Sequence, residues 1–145
     1  MRSKVLNENG ERTYAVIFAT GEEALSGLTR FAEEQNLTAS RFTAIGAFSD
    51  VVLGYFDWQK KDYQRIPVNE QVEVLSLIGD IALDGMKPKV HAHVVLGMRD
   101  GSARGGHLLE AHVRPTLEVT LTESPSYLKR VLDPASGLAL IDIGS

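Results

Sequence analysis

All four histidines of this chain fall between residues 89 and 113: His91, His93, His107 and His112. Imidazole is the commonest metal ligand, and His91 and His93 stand two apart with Ala92 between them. Side chains alternate faces along a strand, so both imidazoles point the same way, their Cβ atoms roughly 7 Å apart. Two arms at that spacing can share one ion. A third ligand is a matter of register. If Asp100-Gly101 forms the two-residue turn this dipeptide favours, Arg99 pairs with Ser102 and His93 faces Leu108, which leaves His107 one position out. A β-bulge at Gly105-Gly106 would bring His107 opposite His93 on the same face. Three neutral imidazoles with an open fourth position suit a divalent transition metal. Zinc fits best, and a carboxylate or water in the shell would also admit nickel, iron or manganese. The plainer reading of the same residues is a hairpin whose histidines are hydrogen-bonded or solvated.

Three other residues bear on the chemistry. Glu110 follows His107 closely enough to be the candidate catalytic group, a general base or proton carrier; its plain alternative is a solvated strand glutamate. His112 is odd-spaced from His107 and faces away on an uninterrupted strand. Glu118, between apolar neighbours in "TLEVTL", would need a partner if buried.

The elements that must position these groups read as α+β. "TYAVIFAT" (13–20) is rich in β-branched and aromatic residues and predicts a buried strand. Thr20 with Glu23 forms a capping box for a helix that turns Ala24, Leu25, Leu28, Phe31 and Ala32 inward and ends near Asn36. "RFTAIGAFSDVVLGYFDW" and "QVEVLSLIGDIAL" follow as strands on either side of a polar stretch, with Gly46, Gly54 and Gly79 marking bends or close backbone approach. "DGMKPK" reads as a loop, "VHAHVVLGM" as a strand, "RDGSARGG" as a turn, and "HLLEAHV" and "TLEVTLTE" as further strands. "SPSYLKRVLD" predicts a short terminal helix capped by Ser124, with Pro125 at its first position and Tyr127, Leu128, Val131 and Leu132 facing inward. The apolar tail "GLALIDIGS" is expected to pack as an edge strand or against a neighbouring subunit.

At 145 residues the chain suits one domain, with a core over about 13–123 and a tail over 124–145. Cysteine is absent, which excludes disulfides, thiolate metal sites and cysteine nucleophiles. The N-terminal stretch shows no apolar signal region, so a cytoplasmic protein is expected, with no membrane association. The net charge of −4, with scattered basic residues, lacks the basic footprint of nucleic-acid binding. "GSARGG" has neither the lysine nor the following helix of a phosphate-binding loop.

In that order and spacing, "IGAFSDVVLGYFD", "EVLSLIGDIAL", "VHAHVVLGMRDGSARGGHLLEAHV" and "TLEVTLTE" resemble the PPC (plants and prokaryotes conserved) domain over about residues 13–123. The "HxH…DG…GGHL" block is the specific part of the match. The resemblance implies a single compact α+β domain with a strongly bent, mostly antiparallel sheet, assembled as a homotrimer and similar in fold to acetolactate decarboxylase, an enzyme with a three-histidine zinc site. It also implies that His91, His93 and His107 are the metal-associated histidines. Plant members carry an AT-hook for the DNA minor groove, and no "RGRP"-type hook is present here.

Two functions follow from these expectations. One is a trimeric metal protein that binds or transforms an unidentified small oxygen-rich molecule. The other is a regulatory module for DNA or protein partners in which the histidines are structural. A purely structural trimer with solvated histidines is the third possibility.

Overall fold

A computed structural model describes residues 1–7, 10–124 and 127–144. Its elements run β1 (Arg2–Asn7), β2 (Thr13–Ala19), α1 (Ala24–Glu34), β3 (Ala39–Asp57), β4 (Asp62–Val68), β5 (Val72–Asp84), β6 (Lys87–Gly97), β7 (Ala103–Glu123), β8 (Lys129–Leu132) and β9 (Ala139–Asp142). This is the expected α+β architecture: one helix and one sheet among the described residues. Every strand pairing is antiparallel except β5 with β8.

Alternation builds the core. Tyr14, Val16 and Phe18 of β2, Leu108, Ala111 and Val113 of β7, and Val94 and Leu96 of β6 all turn inward. Leu28 and Phe31 of α1 cover them, with the Phe31 ring edge-on to Tyr14 at 5.3 Å. The pairings β3–β5, β5–β6, β6–β7 and β7–β3 close a circuit, so four long strands wrap on themselves rather than lying flat. Wrapping demands bends. At Gly46 the backbone takes φ +151 and both pairings of β3 shift register; a Cβ there would lie 2.3 Å from the Thr116 carbonyl oxygen. Only glycine fits such an approach.

Several local expectations are revised. The polar stretch after β3 contains β4, which hairpins back on the end of β3, and β1 adds a strand beside β2. "HLLEAHV" and "TLEVTLTE" are one continuous strand, β7. Glu23 rather than Thr20 caps α1, its carboxylate accepting from the Leu25 and Ser26 amides at 3.1 and 2.6 Å. The reason is that the preceding turn is tied to β7: Gly21 N–H donates to the Val113 carbonyl, Val113 N–H donates to the Glu22 carbonyl, and the Thr20 hydroxyl donates to the Pro115 carbonyl.

The short C-terminal helix expected over "SPSYLKRVLD" is not formed over Lys129–Leu132, which is strand β8; Pro125, its expected first position, lies outside the described residues. So short a segment cannot nucleate a helix alone, and sheet pairing outcompetes it. β8 runs parallel to the end of β5 at Leu83 and Asp84 and antiparallel to β9. The apolar tail therefore does form a terminal strand, as expected for "GLALIDIGS".

Candidate metal centre

Two hairpins bring the histidines together. Between β5 and β6 the chain turns in two residues, Gly85 and Met86, with Gly85 at positive φ in the first position, which fixes Asp84 opposite Lys87. Counting back along that register sets Asp80 opposite His91 and Ile78 opposite His93. Between β6 and β7 the loop is one residue longer than the expected Asp100-Gly101 turn. Gly101 N–H donates to the Met98 carbonyl at 3.0 Å, Met98 N–H donates to the Ser102 carbonyl at 2.8 Å, and Gly101 takes φ +83. A type I turn closed by a left-handed glycine adds one residue at the loop, and Ala103 then pairs with Gly97 and His107 with His93. The opposition of His93 and His107 is as expected, but the extra residue sits at Gly101, not in a bulge at Gly105-Gly106. The double glycine has a different cause. Here β7 is squeezed between β6 and β3, and a Cβ on Gly105 or Gly106 would lie 2.9 Å from the carbonyl oxygen of Val94 or Gly54 respectively.

The three rings form a nearly equilateral cluster, with centroid separations of 5.1 Å for His91–His93, 5.1 Å for His91–His107 and 5.3 Å for His93–His107. One nitrogen from each lies within 4.8 Å of the others, so the three could hold a metal ion. Nε2 of His91 and Nε2 of His93 are 3.2 Å apart. His107 is held from behind by Tyr63 of β4, whose ring stacks on it at 4.5 Å and 24°. Its Nδ1 is buried without a hydrogen-bond partner. Leaving such an atom unsatisfied costs about 1–3 kcal/mol. Burial, reinforced by its two imidazole neighbours, lowers the His107 pKa to about 4, and burial and His91 lower that of His93. Both rings are neutral at pH 7, the state in which imidazole ligates a metal. The donor set fits a divalent transition metal and keeps one side open.

Behind His91 stands a second layer. Asp80 Oδ2 lies 3.5 Å from His91 Nδ1, so the carboxylate orients the ring with Nε2 toward His93. The other oxygen, Oδ1, accepts from an Arg130 terminal nitrogen, and a second terminal nitrogen of Arg130 donates to the Ala139 carbonyl at 3.1 Å. Burial pushes the Asp80 carboxyl up, but His91 and Arg130 outweigh it and hold the pKa below the ordinary value. A carboxylate behind a ligating imidazole fixes its tautomer and raises its basicity. Ile78, Gly79, Asp80, His91 and His93 line an open cleft of about 280 Å³ on one side of the cluster.

The remaining sequence candidates fall elsewhere. Leu109 is an extra residue in β7 relative to β3, so Leu108 and Ala111 both turn into the core, and Glu110 and His112 share the outer face. Glu110 pairs with Arg65 at 3.3 Å and is not in the histidine group. Glu118 is exposed on the outer face between Ile17 and Ile45 of the flanking strands. His112 Nδ1 is 2.7 Å from Asp50 Oδ1, and this hydrogen bond raises the histidine's pKa against the effect of burial. On the Asp50 side, the Ser49 hydroxyl and His112 lower the carboxyl. The pair's stabilisation is therefore present above the Asp50 range and below about pH 6.5, the ordinary histidine value, and is lost as pH rises through the raised His112 pKa. Both groups are more than a third exposed, so His112→Gln is expected to cost no more than about 1 kcal/mol at pH 6 and close to nothing at pH 9 in urea unfolding.

Sequence reasoning did not single out Tyr63, Asp80 or Arg130. Asp80 was within reach, because the two-residue turn at Gly85 sets its register against His91. Tyr63 and Arg130 arrive through β4 and β8, neither of which was read as a strand.

A sequence profile of the Plants and Prokaryotes Conserved (PCC) domain matches residues 6–125. The chain belongs to that family. A plant- and prokaryote-conserved (PPC) protein of Pyrococcus horikoshii is 35% identical with a TM-score of 0.86, covering 92% of this chain and 93% of its own. A metal-containing protein of Archaeoglobus fulgidus is 33% identical with a TM-score of 0.83, covering 97% and 96%. A protein of Ralstonia eutropha, named as a candidate DNA-binding protein, is 27% identical with a TM-score of 0.84, covering 90% and 91%. None of the curated proteins matches. The α-acetolactate decarboxylase of Bacillus subtilis shares the fold at 12% identity and a TM-score of 0.58, over 85% of this chain and 57% of its own. No helix among the described residues of this PPC-domain chain is long and apolar enough to cross a membrane.

Proposed function

We propose that this PPC-domain chain holds a divalent transition metal, zinc first, on His91, His93 and His107, and binds a small oxygen-rich molecule at its open side. The observation that carries this reading is the convergence of three imidazole nitrogens within 4.8 Å, one ring bearing a buried nitrogen with no partner. A relative named for its metal content, one-third identical over nearly the whole chain, supports it. A bound divalent ion supplies a Lewis acid for a carbonyl or carboxylate oxygen and draws the pKa of a coordinated water toward about 7. The chain's own part is orientation: Asp80 sets the His91 ring, Tyr63 sets His107, and Gly105 and Gly106 let the strands come close enough to assemble the cluster. Glu110 stands outside this arrangement, and its expected part as proton carrier draws no support from its contact with Arg65.

The assembly we propose is a homotrimer. Ile45, Leu75, Ile78 and Val95 are exposed on the sheet, and Leu132 and Leu140 on the β8–β9 hairpin, an apolar surface that a neighbouring copy would cover. The number three rests on the PPC resemblance. Native mass spectrometry of the zinc-supplemented protein reads both claims, with one ion per chain and three chains per particle expected. A metal-free monomer would overturn them.

The name of the Ralstonia relative supports a second reading, a DNA-binding module. The net charge of −4 opposes it, because phosphate neutralisation supplies most non-specific affinity. Retardation of duplex DNA by the pure protein at physiological salt would favour the second reading over the first.

A further inference from the structure

We propose that a second copy of this chain packs on the outer face of β2, β7, β3 and β5, with Glu118 of one subunit against Arg41 of the partner subunit, and that this copy walls the open side of the histidine cluster. The inference rests on the trimer reading above and names the surface that makes the contact. Strand register lays the face out in rows. Ala15, Thr120, Thr43, Ile78 and His93 stand side by side across β2, β7, β3, β5 and β6. In the row on one side of these, Arg41 lies between Thr122 and Asp80; in the row on the other, Glu118 lies between Ile17 and Ile45. The histidine cluster is thus the end of this face, and its open cleft of about 280 Å³ is bounded by two residues of the middle row, Ile78 and His93.

The composition is that of a contact surface. A sheet face that stays in water carries polar and charged side chains, whereas the centre of a protein contact is depleted in charge and its rim is polar. Here threonine, alanine and isoleucine dominate, with Ile45 60% and Ile78 55% exposed. The margin on β1 carries Arg2 and Lys4, beside Ile17 and Ala15. The two exposed charges within the face, Arg41 and Glu118, are of opposite sign, and neither forms a salt bridge among the described residues. Glu118 is opposite Ile45, so the two charges are separated by about 13 Å along the strands, too far to meet in one chain. A second copy brings them together. The surface carries its own complement, which singles out this chain as its occupant. In a closed three-fold ring each subunit gives Glu118 to one neighbour and Arg41 to the other, a head-to-tail contact that leaves neither charge over. The same contact covers Ile45 and Ile78, and with Ile78 the rim of the cleft.

Analytical ultracentrifugation of the metal-free protein, with carbethoxylation of its histidines read by mass spectrometry, tests both parts. The wild type is expected to sediment as a trimer. Arg41→Glu sets two carboxylates against each other and is expected to raise the concentration of half-dissociation at least about tenfold, as is Glu118→Arg with two cations. Arg41→Glu/Glu118→Arg restores opposite charges and should return the trimer to nearly wild-type strength, which misfolding or a general effect of charge would not do. Where the wild type is assembled and the single variants are not, His93 should react about tenfold more slowly in the wild type and the double variant. His112, beyond the bend at Gly46, should react at one rate in all four proteins. A wild type that is monomeric at every concentration would overturn the trimer reading and this inference together. A trimer that neither reversal weakens would overturn the inference and leave the trimer standing. Single variants that dissociate without unmasking His93 would overturn the claim that the copy walls the cleft. None of these outcomes depends on zinc, so the metal reading is tested separately.

Discussion

Asp80→Ala is expected to weaken zinc binding about 10- to 100-fold, the range found when the outer partner of a ligating histidine is removed. The variant loses the carboxylate that faces His91 Nδ1 at 3.5 Å, so the ring is free to rotate or to change tautomer. Stability should fall for a separate reason. Arg130 is buried and Asp80 is its charge partner; leaving a buried charge uncompensated costs about 3 kcal/mol or somewhat more. The two effects separate in a double variant. Asp80→Ala/Arg130→Met removes both charges and should recover most of the lost stability, because a buried ion pair is worth little more than good apolar packing. It should recover none of the zinc affinity. Chelator competition reads the first quantity and urea unfolding of the metal-free protein reads the second. Zinc affinity unchanged in Asp80→Ala would show that His91 needs no such support.

Removal of His107 acts on the metal itself. His107→Ala is expected to lower zinc affinity by more than about 100-fold, since losing a ligand must exceed the loss of a partner behind one. The metal-free fold should tolerate the change. The Tyr63 stack contributes about 0.5–1.5 kcal/mol, and its loss is offset by removing a buried nitrogen whose unsatisfied state costs about 1–3 kcal/mol. Thermal unfolding makes the contrast visible. Free zinc at 100 times the dissociation constant stabilises a binding-competent fold by about 2.7 kcal/mol, so wild-type Tm should rise on addition and that of His107→Ala should not. An equal rise in both would place the zinc elsewhere.

How far the sequence carried the site depended on how local each constraint was. The same-face placement of His91 and His93 follows from strand periodicity alone, and the opposition of His107 needed only one correctly suspected extra residue. Its location was misplaced because Gly105 and Gly106 look like bulge residues, whereas they are glycines for lack of space between three strands. The helix was legible from its apolar stripe, but its cap was not, because the backbone around Thr20 is committed to β7 more than ninety residues later. Long-range pairing likewise hid β4, β8 and the unity of β7. The polar "DYQRIPV" shows little apolar alternation since β4 is mostly solvated, and "KRVL" becomes a strand only because the end of β5 is there to pair with it. Arg130 was invisible for that reason: nothing within its own segment points toward Asp80, fifty residues earlier.

The most direct test of the account is the metal content of the untagged protein by mass spectrometry, beside a His91→Ala/His93→Ala double variant shown to be folded by circular dichroism. Close to one transition-metal ion per chain, zinc first, is expected in the wild type and essentially none in the variant. No metal in either protein, even after zinc is added at neutral pH, would contradict it and leave the three histidines as structural parts of the hairpin.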